Sequence, residues 1–145
     1  MKLSTKSRYG LRALIDLASH SGSGHIPLNT IASRQQISPK YLEQEFATLR
    51  RAGLVKSIKG AQGGYILGKP AREIRVDEII CALEGDLAVV DELDPQERSP
   101  IRKMLHELVY EPIGRELRLL MGSRTLEDLV KEYEAANHEP YQLDI

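Results

Sequence analysis

Between Ser38 and Gly53 the chain carries a full set of helix signals, and their surroundings leave few folds open. Ser38 can cap, Pro39 suits the first helical position, and Leu42, Phe46 and Leu49 recur at four and three. Gly53 stops the run after Arg50-Arg51-Ala52. Just upstream, a short helix is expected from about Asn29, a good N-cap, through Ile31 and Ala32 to about Gln35. Only Gln36-Ile37 separates the two. This is the spacing of a helix-turn-helix, whose second helix lies in the DNA major groove. Before it, Tyr9, Ala13, Leu14, Leu17 and Ala18 mark one face of a helix that starts near Ser4 or Thr5 and ends before Ser21-Gly22-Ser23-Gly24.

With its apolar stripe turned to the core, the second helix leaves Pro39, Lys40, Tyr41, Gln44 and Thr48 near its exposed start and side. Gln can bond adenine bidentately, Lys can reach guanine or phosphate, and Tyr can donate to phosphate. Any surface helix needs polar residues, so the segment after Gly53 carries more weight. Leu54-Val55-Lys56-Ser57-Ile58 and Tyr65-Ile66-Leu67 are short β-type runs around Lys59-Gly60-Ala61-Gln62-Gly63-Gly64. Two strands after a recognition helix make a wing, its tip expected to carry Lys56 and Lys59. Glycines there let the backbone approach a sugar-phosphate chain. A nucleotide phosphate loop fits poorly, because neither GxGxxG nor GxxxxGK[ST] is present and a strand, not a helix, comes after the glycines.

Charge supports that reading. The net −1 conceals 13 Lys+Arg against 4 Asp+Glu from Met1 to Arg75, and 7 against 17 beyond it. A half this basic meets a polyanion, or an acidic protein partner.

In the acidic half, Asp77 is expected to cap a short helix over Glu78–Glu84, stopped by Gly85. Cys81, the only cysteine, reads there as a small buried hydrophobe. Next comes an acidic, turn-like stretch, Asp91-Glu92-Leu93-Asp94-Pro95-Gln96-Glu97. From about Pro100, Ile101, Leu105, Leu108, Ile113, Leu117 and Leu120 outline a long helical stripe that Pro112 should kink or split. One small domain has little core to cover such a stripe. The same helix of a second copy would cover it, and packing back on its own domain is the other solution. Thr125-Leu126-Glu127-Asp128 resembles a capping box and opens a last helix to about Ala136. The tail Tyr141-Gln142-Leu143-Asp144-Ile145 either frays or offers an aliphatic carboxylate end to a pocket.

No enzyme is expected. His106-Glu107-Leu108-Val109-Tyr110 begins like a zincin motif but has Tyr110 where the second His belongs. No GxSxG occurs, and the four histidines show no metal spacing. No apolar run approaches the roughly 20 residues of a membrane helix, and Met1–Lys6 does not read as a signal peptide. The composition is that of a soluble, cytoplasmic protein.

These runs together resemble the Rrf family of bacterial winged helix-turn-helix regulators. The resemblance rests on Lys2–Tyr9, Tyr41-Leu42-Glu43-Gln44, Leu49–Val55 and Gly60–Gly68. It implies a mainly α fold with a small β-wing. Residues 1–85 would bind DNA, with the helix-turn-helix at about 28–52 and the wing at about 54–67. Residues 86–98 would form a linker, 99–136 the dimerisation helices and 137–145 a tail. It further implies that residues matching Lys40, Tyr41 and Gln44 read the major groove, and that Lys59 reaches the minor groove. Pro39, Glu43, Lys56, Gln62 and Gly63 belong to the same surface, which would grip palindromic double-stranded DNA as a homodimer.

Cluster-binding members carry three cysteines between about Asp91 and His106, and none stands there. Position 8, acidic in the nitric-oxide sensors, is Arg8. Within the family, Leu54–Ile58, Gly60-Ala61, Asp77–Ile80 with Leu83–Gly85, Thr125–Leu129 and a tail ending in Ile145 resemble a branch without cofactors that represses cysteine and sulfur metabolism genes. Its members work with cysteine synthase, the O-acetylserine thiol-lyase. That enzyme would take Gln142, Leu143, Asp144 and Ile145 into its active site. A family regulator of other genes, or a protein-interaction module that binds no DNA, are the alternatives.

Overall fold

The computed structural model describes residues 2–138. The chain is mostly helical, with one two-stranded antiparallel sheet. Helix α1 spans Thr5–Ser19 and begins as expected, with Ser4 accepting from the Ser7 amide. After a 3₁₀ turn at Ser21–Ser23 come α2, Leu28–Gln35, and α3, Pro39–Arg51. Asn29 does not cap α2. Pro27 takes that place with no side-chain bond, and Asn29 lies inside the first turn. Between α2 and α3, Gln36 adopts a left-handed conformation, which folds the chain back within two residues. Ser38 Oγ accepts from the Tyr41 amide at 3.0 Å, and Gly53, at φ +78°, ends α3 where an L side chain would be strained.

Strands β1, Val55–Ile58, and β2, Gly64–Leu67, pair with Val55 opposite Leu67 and Ile58 opposite Gly64. Ile26 adds a third, single-residue rung to β2, its amide bonding the Tyr65 carbonyl at 2.9 Å and its carbonyl accepting from the Tyr65 amide at 2.8 Å. Helix α4 spans Val76–Glu84 and stops at Gly85. Its N-cap is Arg75, whose amide donates to Glu78 Oε1; Asp77 pairs with the Arg75 guanidinium at 2.9 Å and is not the cap.

From Pro100 the chain is helical to Gly122. Helix α5, Pro100–Leu105, passes through a π turn at His106–Tyr110 into α6, Glu111–Gly122. The π turn divides the run into α5 and α6 immediately before Pro112, which stands in the first turn of α6. A proline is tolerated there, next to the altered bonding of the π turn. Helix α7, Leu126–His138, opens on a reciprocal box: the Asp128 amide donates to Thr125 Oγ1 at 3.1 Å, and the Thr125 amide to Asp128 Oδ2 at 2.9 Å.

The core gathers Leu14 and Leu17 from α1, Ile31 from α2, and Leu42, Phe46 and Leu49 from α3, with Leu54, Ile74, Ile79 and Leu126. Leu126 ties the end of the chain to this core, its amide donating to the Ile74 carbonyl at 2.7 Å. The α5–α6 run differs. Ile101, Met104, Leu108, Val109, Ile113, Leu119 and Leu120 are all exposed, Leu108 by 70% and Leu120 by 69%.

Candidate nucleic-acid interface

Helix α3 buries Leu42, Phe46 and Leu49, which fixes the direction of its other face. Pro39, Lys40, Glu43 and Gln44 lie exposed on that face, and Tyr41 is half-buried beside them. Thr48 is half-buried on the side of the helix, donating to the Gln44 carbonyl at 3.3 Å and accepting from Arg51 at 3.1 Å. Lys40, Tyr41 and Gln44 can donate to phosphates and base edges, and Glu43 can accept from a base, without disturbing the core.

The helix is held by its neighbours. Asp16 of α1, 3% exposed, accepts from Arg34 Nε at 3.0 Å, Arg34 Nη2 at 2.6 Å and Gln35 Nε2 at 2.8 Å. That charge-assisted fork fixes α2, and through the tight turn at Gln36 it sets the position of α3. From the other side, the Tyr9 ring meets Tyr41 edge-to-face at 5.7 Å, and the Arg12 guanidinium lies 4.9 Å over Tyr9. The sequence pattern marked Tyr9 only as an apolar position. The i, i+4 spacing of Arg8 and Arg12 was the one available hint of a basic ridge there.

Behind Tyr41 lies Glu45, 4% exposed, with no partner for Oε2. Burial pushes its carboxyl up from the ordinary value of 4.5, and the nearby Glu84 adds to the shift. Tyr41 is raised by burial first and by Glu45 second. No sequence signal marked Glu45, since a glutamate on a surface helix is ordinary until the packing shows it turned inward.

The wing is mounted on the same helix, Phe46 meeting the Tyr65 ring at 4.9 Å. Its tip holds Lys59, Gln62 and Gly63, with the Gly63 amide closing the turn onto the Gly60 carbonyl at 3.0 Å. Lys59 and Gln62 are exposed. Lys56 is exposed too, but it stands in the body of β1 opposite Ile66 and not at the tip, because the strand runs on to Ile58. His25 Nε2–H donates to the Gln62 carbonyl, a brace from the Ile26 rung that sequence reasoning missed. Gly64 is required by that rung: a Cβ there would lie 2.4 Å from the Ile26 carbonyl oxygen.

Among the described residues, most cations of the basic half stand outside ion pairs. Arg34, Lys69 and Arg75 of the basic half are paired with Asp16, Glu78 and Asp77. Among the described residues, Lys6, Arg8, Arg12, Lys40, Arg50, Arg51, Lys56 and Lys59 have no carboxylate within ion-pairing distance.

Elsewhere, Cys81 lies on the surface of α4 and not in the core, because Ile79, Ile80 and Leu83 take the inward positions. Partial desolvation, Asp77 and Asp86 push its thiol up, away from thiolate reactivity. Gln142, Leu143, Asp144 and Ile145 lie outside the described residues. No helix among the described residues is long and apolar enough to cross a membrane.

A helix-turn-helix with a two-stranded wing, carrying free cations on the exposed reading helix and at the wing tip, defines a DNA-binding transcriptional regulator. The chain belongs to the Rrf2 family, whose model, described as an iron-dependent transcriptional regulator, matches residues 3–132. It is 41% identical to the HTH-type transcriptional regulator CymR of Bacillus subtilis, over all of both chains. It is 39% identical to the regulator IscR of Xenorhabdus nematophila, over 92% of this chain and 82% of that one. The solved structure of CymR, described as the global cysteine regulator of B. subtilis, superposes with a TM-score of 0.76 at 40% identity, covering 91% and 98% of the two chains. That of T. potens IscR gives 0.72 at 42% identity, covering 96% and 93%. These relatives are regulators, not enzymes.

The iron in the family's description finds no matching donors. An iron–sulfur cluster is held chiefly by cysteine thiolates. The one cysteine here is Cys81, and the linker and helix from Asp91 to His106 carry none. Among the described residues no three His, Cys, Asp or Glu side chains gather as a metal site.

Proposed function

We propose that this chain is a cytoplasmic, homodimeric repressor of cysteine and sulfur metabolism genes, and that its hold on DNA depends on complex formation with cysteine synthase. The observation that carries the DNA half is the set of cations left without carboxylate partners on α3 and the wing, beside Tyr41 and Gln44. Pro39, Lys40, Tyr41, Glu43 and Gln44 face the major groove, Lys59 with Gln62 and Gly63 enters the minor groove, and Lys56 meets the backbone. Residues 1–85 bind DNA, 86–98 connect, and 99–136 pair with a second copy. The exposed apolar stripe of α5 and α6 supports that pairing, since water-exposed Leu108, Leu119 and Leu120 are stabilised by mutual burial. Two-fold symmetry would then present two reading helices to a palindrome.

The choice of regulated genes rests on the likeness to CymR, and the enzyme partner on the tail. A pocket built for an amino-acid carboxylate accommodates an aliphatic residue with its α-carboxylate, as Ile145 after Gln142, Leu143 and Asp144 would supply. O-acetylserine would compete for that pocket. The test pairs a footprint on upstream DNA with a pull-down by purified cysteine synthase, each with the full chain and a variant lacking Ile145. The full chain is expected to protect DNA and to retain the enzyme, and the variant to lose only the enzyme. Unaltered retention would refute the tail's role, and absent protection would refute DNA binding.

A further inference from the structure

We infer that α1 is a second DNA-contacting element, in which Arg8 holds a backbone phosphate beside the reading helix. This rests on the DNA-binding reading of α3 and adds a residue to it.

Helix α1 turns Ser7, Gly10, Ala13, Leu14 and Leu17 into the core. Arg8 and Arg12, one turn apart, are left exposed on its other side. That side abuts the start of α3 through the edge-to-face pair of Tyr9 and Tyr41. Arg12 is already committed: its guanidinium stacks on Tyr9 and donates to the Gln35 carbonyl at the end of α2. The three groups lock α1 to both helices of the helix-turn-helix. Burial and Glu45 raise the Tyr41 hydroxyl's pKa, whereas the Arg8 charge lowers it.

Arg8 itself has only a long 3.4 Å bond to Thr5 Oγ1, and among the described residues it has no carboxylate partner. A planar guanidinium with free donors, one residue from the Tyr9–Tyr41 contact that joins α1 to the reading helix, is complementary to a phosphate. It is a poor structural group, since almost nothing in the fold uses it. A phosphate next to the base pairs under α3 would be held between Arg8 and Tyr41, with no information about sequence.

The experiment titrates the full chain with a mixed-sequence duplex of about 30 base pairs, roughly three helical turns, between about 50 and 200 mM salt. Arg8→Gln is expected to lower the magnitude of the slope of log affinity against log salt by about 0.9 for each protomer bound. Arg8→Lys should keep the wild-type slope, and the thermal midpoints of all three proteins should agree. A slope unchanged in Arg8→Gln overturns the inference. If Lys59→Ala lowers the slope while Arg8→Gln does not, α1 stands off the duplex and only this inference fails. A wild-type chain that shows no salt-dependent binding overturns the DNA reading itself. Should Arg8→Gln lower the midpoint, the comparison rests on Arg8→Lys against Arg8→Ala, and equal slopes for those two overturn the inference.

Discussion

Asp16 and Arg34 form the one two-pronged ion pair between α1 and α2 among the described residues, with Nε and Nη2 of Arg34 at 3.0 and 2.6 Å from the two carboxylate oxygens. Asp16 is nearly inaccessible while the Arg34 side chain is 37% exposed, so the pair is anchored on the buried acid. Loss of the arginine would strand a buried carboxylate, with Gln35 as its main remaining donor. Arg34→Ala should therefore destabilise the fold by about 2–3 kcal/mol, less than for a fully buried pair because water can reach the site. The measurement is urea unfolding. A change within a few tenths of a kcal/mol would show that Gln35 and water suffice.

Glu45 should make stability fall as the solution becomes more basic. Its folded-state pKa is raised by burial, with Glu84 adding to the shift, so the folded chain holds this proton more tightly than the unfolded chain. The stability this group supports is full below about pH 4.5 and is lost as pH rises through the folded value. Glu45→Leu removes the orphaned carboxylate and should stabilise the protein by about 1–3 kcal/mol at neutral pH. The gain should be smaller at about pH 5 than at about pH 8. Parallel denaturation curves at the two values check it, and a pH-independent difference would show that Glu45 does not titrate abnormally.

At the wing, Gly64→Ala would place a methyl group 2.4 Å from the Ile26 carbonyl oxygen, against backbone and not against a movable side chain. A cost of about 1–3 kcal/mol is expected, with loss of the Ile26–Tyr65 rung. Amide exchange at Ile26 and Tyr65 reports on the rung directly. Protection equal to wild type would mean that the strand shifts without parting.

Gln44 and Lys59 should fail differently. Gln44→Ala is expected to lose about 1–3 kcal/mol of discrimination at one base pair, whereas Lys59→Ala should weaken binding to most sequences and flatten the salt dependence. Binding to operator and scrambled duplexes separates the two. Equal losses on both duplexes for Gln44→Ala would contradict base reading.

The exposed stripe on α5 and α6 offers a test of assembly. Replacing Leu108 and Leu120 by Glu puts charge at the two most exposed leucines among the described residues. The sedimenting species should shift from dimer to monomer with helix content retained. A wild-type chain that sediments as a monomer would remove the reason for the stripe.

Periodicity, caps and glycine stops were enough to read the helix-turn-helix, the wing and the Thr125–Asp128 box, because those signals act between neighbours in the chain. Charge sorting pointed to the DNA-facing half for a similar reason: an excess of cations over acids is a sum over sequence. Which cations stay free was decided by the fold, where Arg34 pairs with Asp16 across two helices and Lys69 and Arg75 pair with Glu78 and Asp77 of α4. Tertiary packing also turned Glu45 inward and left Cys81 on the surface. It alone brought Tyr9 against Tyr41, a contact across 32 residues that depends on the angle between two helices. That angle is set by many side chains packing together, and no local stretch of sequence specifies it.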